Sequence, residues 1–160
     1  MSIYIKLADF ADCQKICDMQ RLAFNDILTR YRDYDTNPAC ETVEVIQNKF
    51  RQTFTKYYFI MKDEEIIGAV RIVEIDKSTR RISPLFILPQ FQNCGYAQLA
   101  VKCIEETYKN ISCFTLDTIK QEKKLCYLYE KLGYLRTGKE EQLHDNCLLY
   151  TSPSPRDSTS

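Results

Sequence analysis

The segment that decides the fold is SPLFILPQFQNCGYA, residues 83–97. Its apolar first half is typical of a β-strand that ends at Pro89, and a helix is predicted from Gly95 to about Asn110. The first backbone N–H groups of a helix have no internal acceptor and lie at the positive end of the helix dipole, so a strand, loop and helix in this order favour anion binding. Gly95 permits close approach of a ligand. A glycine at a helix start is by itself weak evidence for an anion site, because most such residues only cap the helix.

The chain before this segment predicts one strand, two helices and a three-stranded antiparallel meander. Residues 2–7 alternate as a strand, and residues 8–28 carry apolar side chains at helical spacing. Asn37 and Pro38 form a favourable start for the second helix, because Asn caps a helix and Pro fits its first position. The meander strands are predicted over residues 57–61, 66–75 and 81–88.

The chain after this segment predicts a crossover unit. A strand containing Phe114 and Leu116 follows the helix, then a helix over residues 125–132 that Gly133 terminates, then extended chain over residues 134–137. The order β-α-α-β-β-β-α-β-α-β predicts an α+β fold, with a mixed, mostly antiparallel central sheet flanked by about four helices.

Composition excludes several classes of protein. The 160 residues fit one domain. Lys plus Arg and Asp plus Glu both total 22, giving a net charge of +0, so we expect no nucleic-acid partner. No apolar run reaches the roughly 18 to 20 residues of a membrane span, and the first residues lack the pattern of a secretory signal. We therefore expect a cytoplasmic protein with no membrane partner.

The eight cysteines do not predict a disulfide scaffold, because this chain is long and shows no signal peptide. Cys13 and Cys17 share a helix face, but no matching pair follows and His144 is the only histidine. A zinc site therefore lacks ligands, and we expect free thiols and no metal. A cysteine-based redox or metal protein remains an alternative that requires reactive thiols or bound zinc.

The C-terminal residues differ from the rest of the chain. From Thr151 onward the sequence is rich in Ser, Thr and Pro, which cannot build a core. Residues 147–157, CLLYTSPSPRD, resemble the translation, in one frame, of the transposase adapter used to prepare short-read sequencing libraries. On this interpretation one domain covers residues 1–146, and residues 147–160 are a non-native or disordered tail. A natural flexible tail is the alternative, and Leu148 and Tyr150 alternate well enough to form a strand.

Two motifs carry a resemblance to a known family. The pattern QxxGxA from Gln92 to Ala97, directly after a strand that ends at Pro89, resembles the acetyl-CoA pyrophosphate loop of the GNAT acetyltransferase superfamily. YEKLGY, residues 129–134, resembles the closing helix of that superfamily and its turn into the next strand. The order of elements agrees from residue 3 to residue 137, and LDTI, residues 116–119, resembles a bacterial branch.

The resemblance implies that acetyl-CoA is the acyl donor and that backbone groups hold it. Its pyrophosphate would be bound by the amides of Gln92, Asn93, Cys94, Gly95, Tyr96 and Ala97. Its pantetheine arm would pair with the strand backbone at Phe86, Ile87 and Leu88. In the family a bulge separates the fourth strand from the fifth, and Ile87 is the nearest candidate for the free N–H that polarises the thioester carbonyl.

The resemblance also implies a catalytic residue, and an amine acceptor, which must lose a proton before it attacks, suggests carboxylates nearby. Tyr129 matches the tyrosine that donates a proton to the leaving thiolate, although core packing of its ring is the alternative. Asp117, at the end of the fifth strand, is a candidate for binding the charge of an amine, and a capping or turn role is equally open. Glu74 is a candidate general base, against the alternative of an exposed surface carboxylate.

The implied reaction is transfer of acetyl from acetyl-CoA to a primary amine of a small molecule or peptide, by direct attack in a ternary complex. A non-catalytic acyl-CoA binding or sensing module on the same fold is the alternative. Glu122 and Leu125 depart from the family pattern, and Asn93 and Cys94 remove a cation from the loop. The sequence leaves the oligomeric state open between monomer and homodimer.

Overall fold

Seven strands and three helices form the part of the chain that the structure, a computed structural model, describes: residues 2–31, 41–119, 135–141 and 147–151. The strands are β1 (Ile3–Leu7), β2 (Thr55–Lys62), β3 (Glu65–Asp76), β4 (Thr79–Ile87), β5 (Cys113–Ile119), β6 (Leu135–Glu141) and β7 (Cys147–Thr151). The helices are α1 (Cys13–Tyr31), α2 (Val43–Phe50) and α3 (Tyr96–Thr107).

The strands form one sheet in the order β1-β2-β3-β4-β5-β7-β6. Only β4 and β5 pair in parallel among these neighbours, and every other pair is antiparallel. A parallel pair needs a crossover connection, and α3 supplies it between β4 and β5. The predicted α+β fold with a mixed, mostly antiparallel sheet is confirmed. The predicted helix over residues 125–132 lies outside the described residues.

The sheet separates two cores, because successive side chains of a strand point to opposite faces. On one face Ile104 of α3 packs among side chains that include Val70 and Ile87. On the other face Ile16 of α1 and Ile46 of α2 pack among side chains that include Phe86. Phe86 and Ile87 are adjacent in sequence and only 5% and 7% exposed, so the end of β4 is held from both sides.

The predicted start of the first helix, at residue 8, is wrong by several residues, and side-chain caps set the described starts of the first two helices. The helix α2 begins at Val43, where Thr42 is the extended N-cap and its hydroxyl accepts from the Val45 amide at 3.3 Å; the predicted start at Asn37 and Pro38 lies outside the described residues. The first helix begins at Cys13, after a single 3-10 turn over Phe10–Asp12 that Asp9 caps. In both cases a side-chain oxygen that bonds a backbone amide fixes the start more strongly than apolar spacing does.

Residues 147–151 form β7, as the alternation of Leu148 and Tyr150 predicts. This strand lies between β5 and β6, with Leu116 opposite Tyr150 and Glu140 opposite Leu148. The adapter origin of residues 147–157 stays a prediction, which sequencing of the encoding DNA checks. Among the described helices, none is long and apolar enough to cross a membrane.

Candidate active site

The strands β4 and β5 pair over only part of their length. Their parallel ladder runs from Thr79 opposite Cys113 to Ile82 opposite Leu116, whereas β4 continues to Ile87 and β5 to Ile119. Beyond the last pair the ladder between the two strands ends. We call this region the β4–β5 wedge, formed by residues 83–87 of β4 and residues 117–119 of β5.

A bulge in β4 marks the start of the wedge. On the β3 side, Ile72 lies opposite Ile82 and Val70 lies opposite Leu85. Two steps along β3 therefore correspond to three along β4, which is one extra residue at Ser83 and Pro84. Proline has no N–H to donate to a neighbouring strand, so the sequence itself ends the ladder there. The bulge that the resemblance implies is present.

Ile87 presents its backbone polar groups to the wedge. The Leu88 amide donates to the Ile67 carbonyl at 2.8 Å, so Leu88 bonds to β3. Because the direction of backbone groups alternates along an antiparallel strand, the N–H and C=O of Ile87 point away from β3. Gln92 confirms this direction, since its Nε2 donates to the Ile87 carbonyl at 2.8 Å. The Ile87 N–H lies on the same side of the strand, facing the wedge.

The same alternation divides the three strand residues that the sequence predicts for the pantetheine arm. Phe86, opposite Ala69, directs its backbone groups to β3, as Leu88 does, and only Ile87 faces the wedge. Leu85 shares the direction of Ile87, and sequence reasoning missed it. The direction of backbone groups alternates with a period of two along β4, and counting this period from the bulge, rather than from the end of the strand, identifies Leu85.

The loop between β4 and α3 leaves the start of α3 open. A 3-10 turn over Pro89–Phe91 leads to Asn93 at φ 65° and Gly95 at φ 81°, both left-handed. Gly95 is the N-cap of α3 and has no side chain that could accept from the first amides. A Cβ built on Gly95 meets nothing within 4 Å. The first turn of α3 therefore has no side-chain cap, and the positive end of the helix dipole favours an anion there.

The predicted loop residues are accessible to a ligand. Gln92, Asn93, Cys94 and Gly95 are exposed, and Tyr96 and Ala97 are half-buried. The Cys94 thiol lies 3.5 Å from the Gln92 carbonyl, to which it donates. The structure therefore brings all six residues together at one end of β4.

A cation that sequence reasoning missed lies beside the start of α3. The Lys62 ammonium is 5.5 Å from the centre of the Tyr96 ring. A hydrogen bond with the Tyr96 side chain is the main cause that raises the pKa of Lys62. Lys62 ends β2, far from the loop in sequence, so no local pattern could reveal it. Its charge adds to the positive potential of the helix start, where Asn93 and Cys94 supply none.

The acceptor-side candidates fall in different places. Asp117 is the first residue of β5 beyond the last pair with β4, and its backbone pairs with Leu149 of β7. Its backbone therefore lies at the closed end of the wedge, next to the last pair of the ladder. Tyr129, together with Glu122 and Leu125, lies outside the described residues.

Glu74 lies at the opposite end of the sheet. Its carboxylate is 3.0 Å from a guanidinium nitrogen of Arg80, and its side chain is 54% exposed. Arg80 and Ile87 are separated by roughly 20 Å of extended chain. The structure does not bring Glu74 to the wedge, and its position agrees with the surface alternative.

The buried thiols are unsuited to redox chemistry. Cys13 and Cys17 are 2% and 1% exposed, and burial raises the pKa of both thiols. A raised pKa lowers the fraction of the thiol that is present as thiolate, which is the reactive form. Cys13, Cys17, Cys94, Cys103 and Cys113 are free thiols. Within the described ranges, no group of three or more His, Cys, Asp or Glu residues could hold a metal ion.

Solved acetyltransferases share this fold. PaiA N-acetyltransferase from Thermoplasma acidophilum in complex with coenzyme A has a TM-score of 0.77 at 13% identity, covering 95% of this chain and 99% of that one. Spermidine N-acetyltransferase from Vibrio cholerae, with coenzyme A and spermine, has a TM-score of 0.72 at 14% identity, covering 93% and 94%. AAC(6')-Ib, with ribostamycin and coenzyme A, has a TM-score of 0.73 at 15% identity, covering 99% and 96%.

At these identities the structural likeness establishes the fold alone. No curated protein matches the sequence. The model of the acetyltransferase (GNAT) family does match, over residues 16–134, a range that contains the bulge, the wedge and the open start of α3. The chain belongs to the GNAT acetyltransferase family.

Proposed function

We propose that the protein is an N-acetyltransferase that transfers the acetyl group of acetyl-CoA to a primary amine of a small molecule, by direct attack in a ternary complex. The observation that carries this proposal is the position of the Ile87 N–H, which faces the wedge from the strand that leads into the open start of α3. A donor for a thioester carbonyl and a cradle for phosphates thus lie along one continuous segment of chain.

The cofactor fits this segment in one direction. The pyrophosphate of acetyl-CoA accepts hydrogen bonds from the loop amides and from the first turn of α3, where the helix dipole favours negative charge. The pantetheine arm then extends along β4 and pairs with the backbone of Leu85 and Ile87, in the place that a neighbouring strand would otherwise take. This arrangement sets the thioester inside the wedge.

The wedge supplies the electrostatics of acyl transfer. The neutral amine attacks the thioester carbon, negative charge develops on the carbonyl oxygen, and the Ile87 N–H stabilises it. The carbon–sulfur bond then breaks, and Tyr129 donates its phenolic proton to the coenzyme A thiolate. The acceptor arrives as an ammonium, whose charge Asp117 binds, and it loses one proton to solvent or to a carboxylate before it attacks. After the attack the nitrogen loses a second proton to solvent.

Two of the structural neighbours support a small-molecule amine as the acceptor class. One is a spermidine N-acetyltransferase crystallised with spermine, and the other is crystallised with ribostamycin. The position of Asp117 within the wedge agrees with a cationic acceptor, since a carboxylate attracts an ammonium group.

Calorimetric titration of acetyl-CoA tests the cofactor site. We expect saturable binding of about one ligand per chain, and loss of binding in Gly95→Glu, because a carboxylate would then occupy the phosphate cradle. Asn110→Glu, which adds the same charge beyond the other end of α3, is the matched control and keeps the affinity. Unchanged affinity in Gly95→Glu would contradict the cofactor site.

Release of free coenzyme A thiol, measured against a panel of primary amines, tests catalysis. Turnover that depends on the amine is the expected result. Binding of acetyl-CoA without turnover on any amine favours a non-catalytic acyl-CoA binding module, a function with which the uncharged Asn93 and Cys94 of the loop agree.

A further inference from the structure

The Arg71 side chain lies across the face of the sheet at the level of the bulge. Arg71 is the β3 residue between Val70 and Ile72, and the register with β4 shifts at this point. Its Nη1 donates to the Ser83 carbonyl at 3.3 Å, and its Nε donates to the Thr55 hydroxyl at 3.0 Å. One guanidinium therefore connects β2, β3 and the bulged residue of β4.

These bonds include the carbonyl of a residue in the bulge. Ser83 lies in the stretch where three steps of β4 correspond to two of β3, and the Arg71 guanidinium is one of the groups that hold its carbonyl. A guanidinium supplies several donors in a fixed planar arrangement, and Thr55, only 7% exposed, orients one edge of it. The other edge is thereby aimed at Ser83.

Partial burial of the guanidinium costs free energy, which argues that its contacts with Thr55 and Ser83 are not incidental. Burial lowers the pKa of Arg71, and Tyr57 and Glu41 act in the opposite direction. A partly buried cation is tolerated where its hydrogen bonds are made, and two of them are made here to groups on different strands.

We propose that Arg71 is a positioning residue for the acyl donor: by fixing the Ser83 carbonyl, it sets the course of β4 through the wedge and the direction of the Leu85 and Ile87 backbone groups. This inference rests on the proposed function, because those groups bind the pantetheine arm and the thioester. Arg71 acts on the donor through the strand and does not touch it.

The test compares two ligands by calorimetry, acetyl-CoA and adenosine 3′,5′-diphosphate. The second ligand carries the nucleotide half of coenzyme A and lacks the pantetheine arm, so it contacts the loop and not the wedge. In Arg71→Met we expect the affinity for acetyl-CoA to fall about tenfold, as loss of a charge-assisted hydrogen bond does, while the affinity for adenosine 3′,5′-diphosphate stays unchanged. Lys56→Met removes a cation from an exposed position of β2 and keeps both affinities.

Thr55 provides a second, milder pair of variants. Thr55→Val removes the hydroxyl that orients the guanidinium and is expected to weaken acetyl-CoA in the same selective way, whereas Thr55→Ser keeps the hydroxyl and the affinity. If Arg71→Met loses its cooperative unfolding transition, this pair decides the question. An equal loss for both ligands, or no loss for either, would overturn the role of Arg71. A wild-type chain that binds neither ligand would overturn the proposed function, and this inference with it.

Discussion

At the scale of single residues, the loop carries a thiol that reports on the cofactor. Cys94 is exposed, whereas Cys13 and Cys17 are buried with raised pKa values. We expect a maleimide to label Cys94 much faster than the buried pair, because the buried thiols expose neither surface nor thiolate. Peptide mass spectrometry measures the rates.

Acetyl-CoA is expected to slow the labelling of Cys94, since the pyrophosphate would occupy the same loop. The variant Cys94→Ser is the control, and it should lose the fast phase of labelling. A labelling rate of Cys94 that saturating acetyl-CoA leaves unchanged would place the cofactor elsewhere.

The catalytic and packing roles of Tyr129 differ in whether they need its phenolic oxygen, so one substitution separates them. Tyr129→Phe removes the phenolic hydroxyl and keeps the ring, so a packing role predicts little change. If Tyr129 is the proton donor to the leaving thiolate, we expect Tyr129→Phe to lower kcat about 100-fold and to retain the affinity for acetyl-CoA. Steady-state kinetics and calorimetry on the same variant measure the two quantities. An unchanged kcat would contradict the acid role and leave the packing role.

At the scale of elements, one glycine beside β4 and one glycine at the start of α3 have opposite roles. A Cβ on Gly68 of β3 would lie 2.2 Å from the Phe86 carbonyl oxygen, whereas a Cβ on Gly95 meets nothing within 4 Å. We expect Gly68→Ala to lower the free energy of unfolding by roughly 3 kcal/mol, because the backbone of β4 must move. Gly95→Ala is expected to cost about 1 kcal/mol, from the positive φ alone.

For the affinity for acetyl-CoA we expect the opposite ranking, with a larger loss in Gly95→Ala than in Gly68→Ala. The Cβ of Gly95→Ala enters the space of the phosphates, so this variant is expected to lose more affinity than stability. Denaturant unfolding and calorimetry on both variants test the crossed pattern. A larger loss of stability in Gly95→Ala than in Gly68→Ala would contradict the close contact between β3 and β4.

The elements that sequence reasoning found are those with a strong local signal. The meander strands alternate or are bounded by turn residues, such as Asp63 at φ 55°, and α3 has a continuous apolar stripe. The start of α2 is harder to predict: Asn37 and Pro38, which lie outside the described residues, give a local signal as good as that of Thr42, the N-cap of α2. Only the fold decides which potential cap is used.

The candidate site shows the same division between local and distant information. The loop from Gln92 to Ala97 is a contiguous motif, so the sequence predicts it. Lys62 and Arg71 come from the hairpin that precedes the motif, and they reach the loop and the bulge only through strand pairing. Burial and register, which bring such residues together, are absent from a short pattern.

At the scale of the whole molecule, the sheet consists of two antiparallel parts joined by a short parallel seam. The meander β1-β2-β3-β4 meets β5-β7-β6 only through the pairs from Thr79–Cys113 to Ile82–Leu116. Beyond this seam the backbone groups of β4 are available to a ligand. The opening that the proposed function needs therefore depends on the two parts staying attached below it, through the seam and through α3, which connects them.

The strand β7 completes the second part, and its removal is the sharpest test of this arrangement. Because β7 lies between β5 and β6, a chain that ends at Asn146 leaves β5 without its antiparallel neighbour and β6 without a place in the sheet. We expect a loss of about 3 kcal/mol from the ladder hydrogen bonds alone, and a fall in Tm of roughly 10 °C. A chain that ends at Thr151 keeps the whole strand and is the matched control, with the Tm of the full chain. Calorimetric unfolding of the three chains measures the difference. Equal Tm values for the chains that end at Asn146 and at Thr151 would show that β7 does not support the sheet.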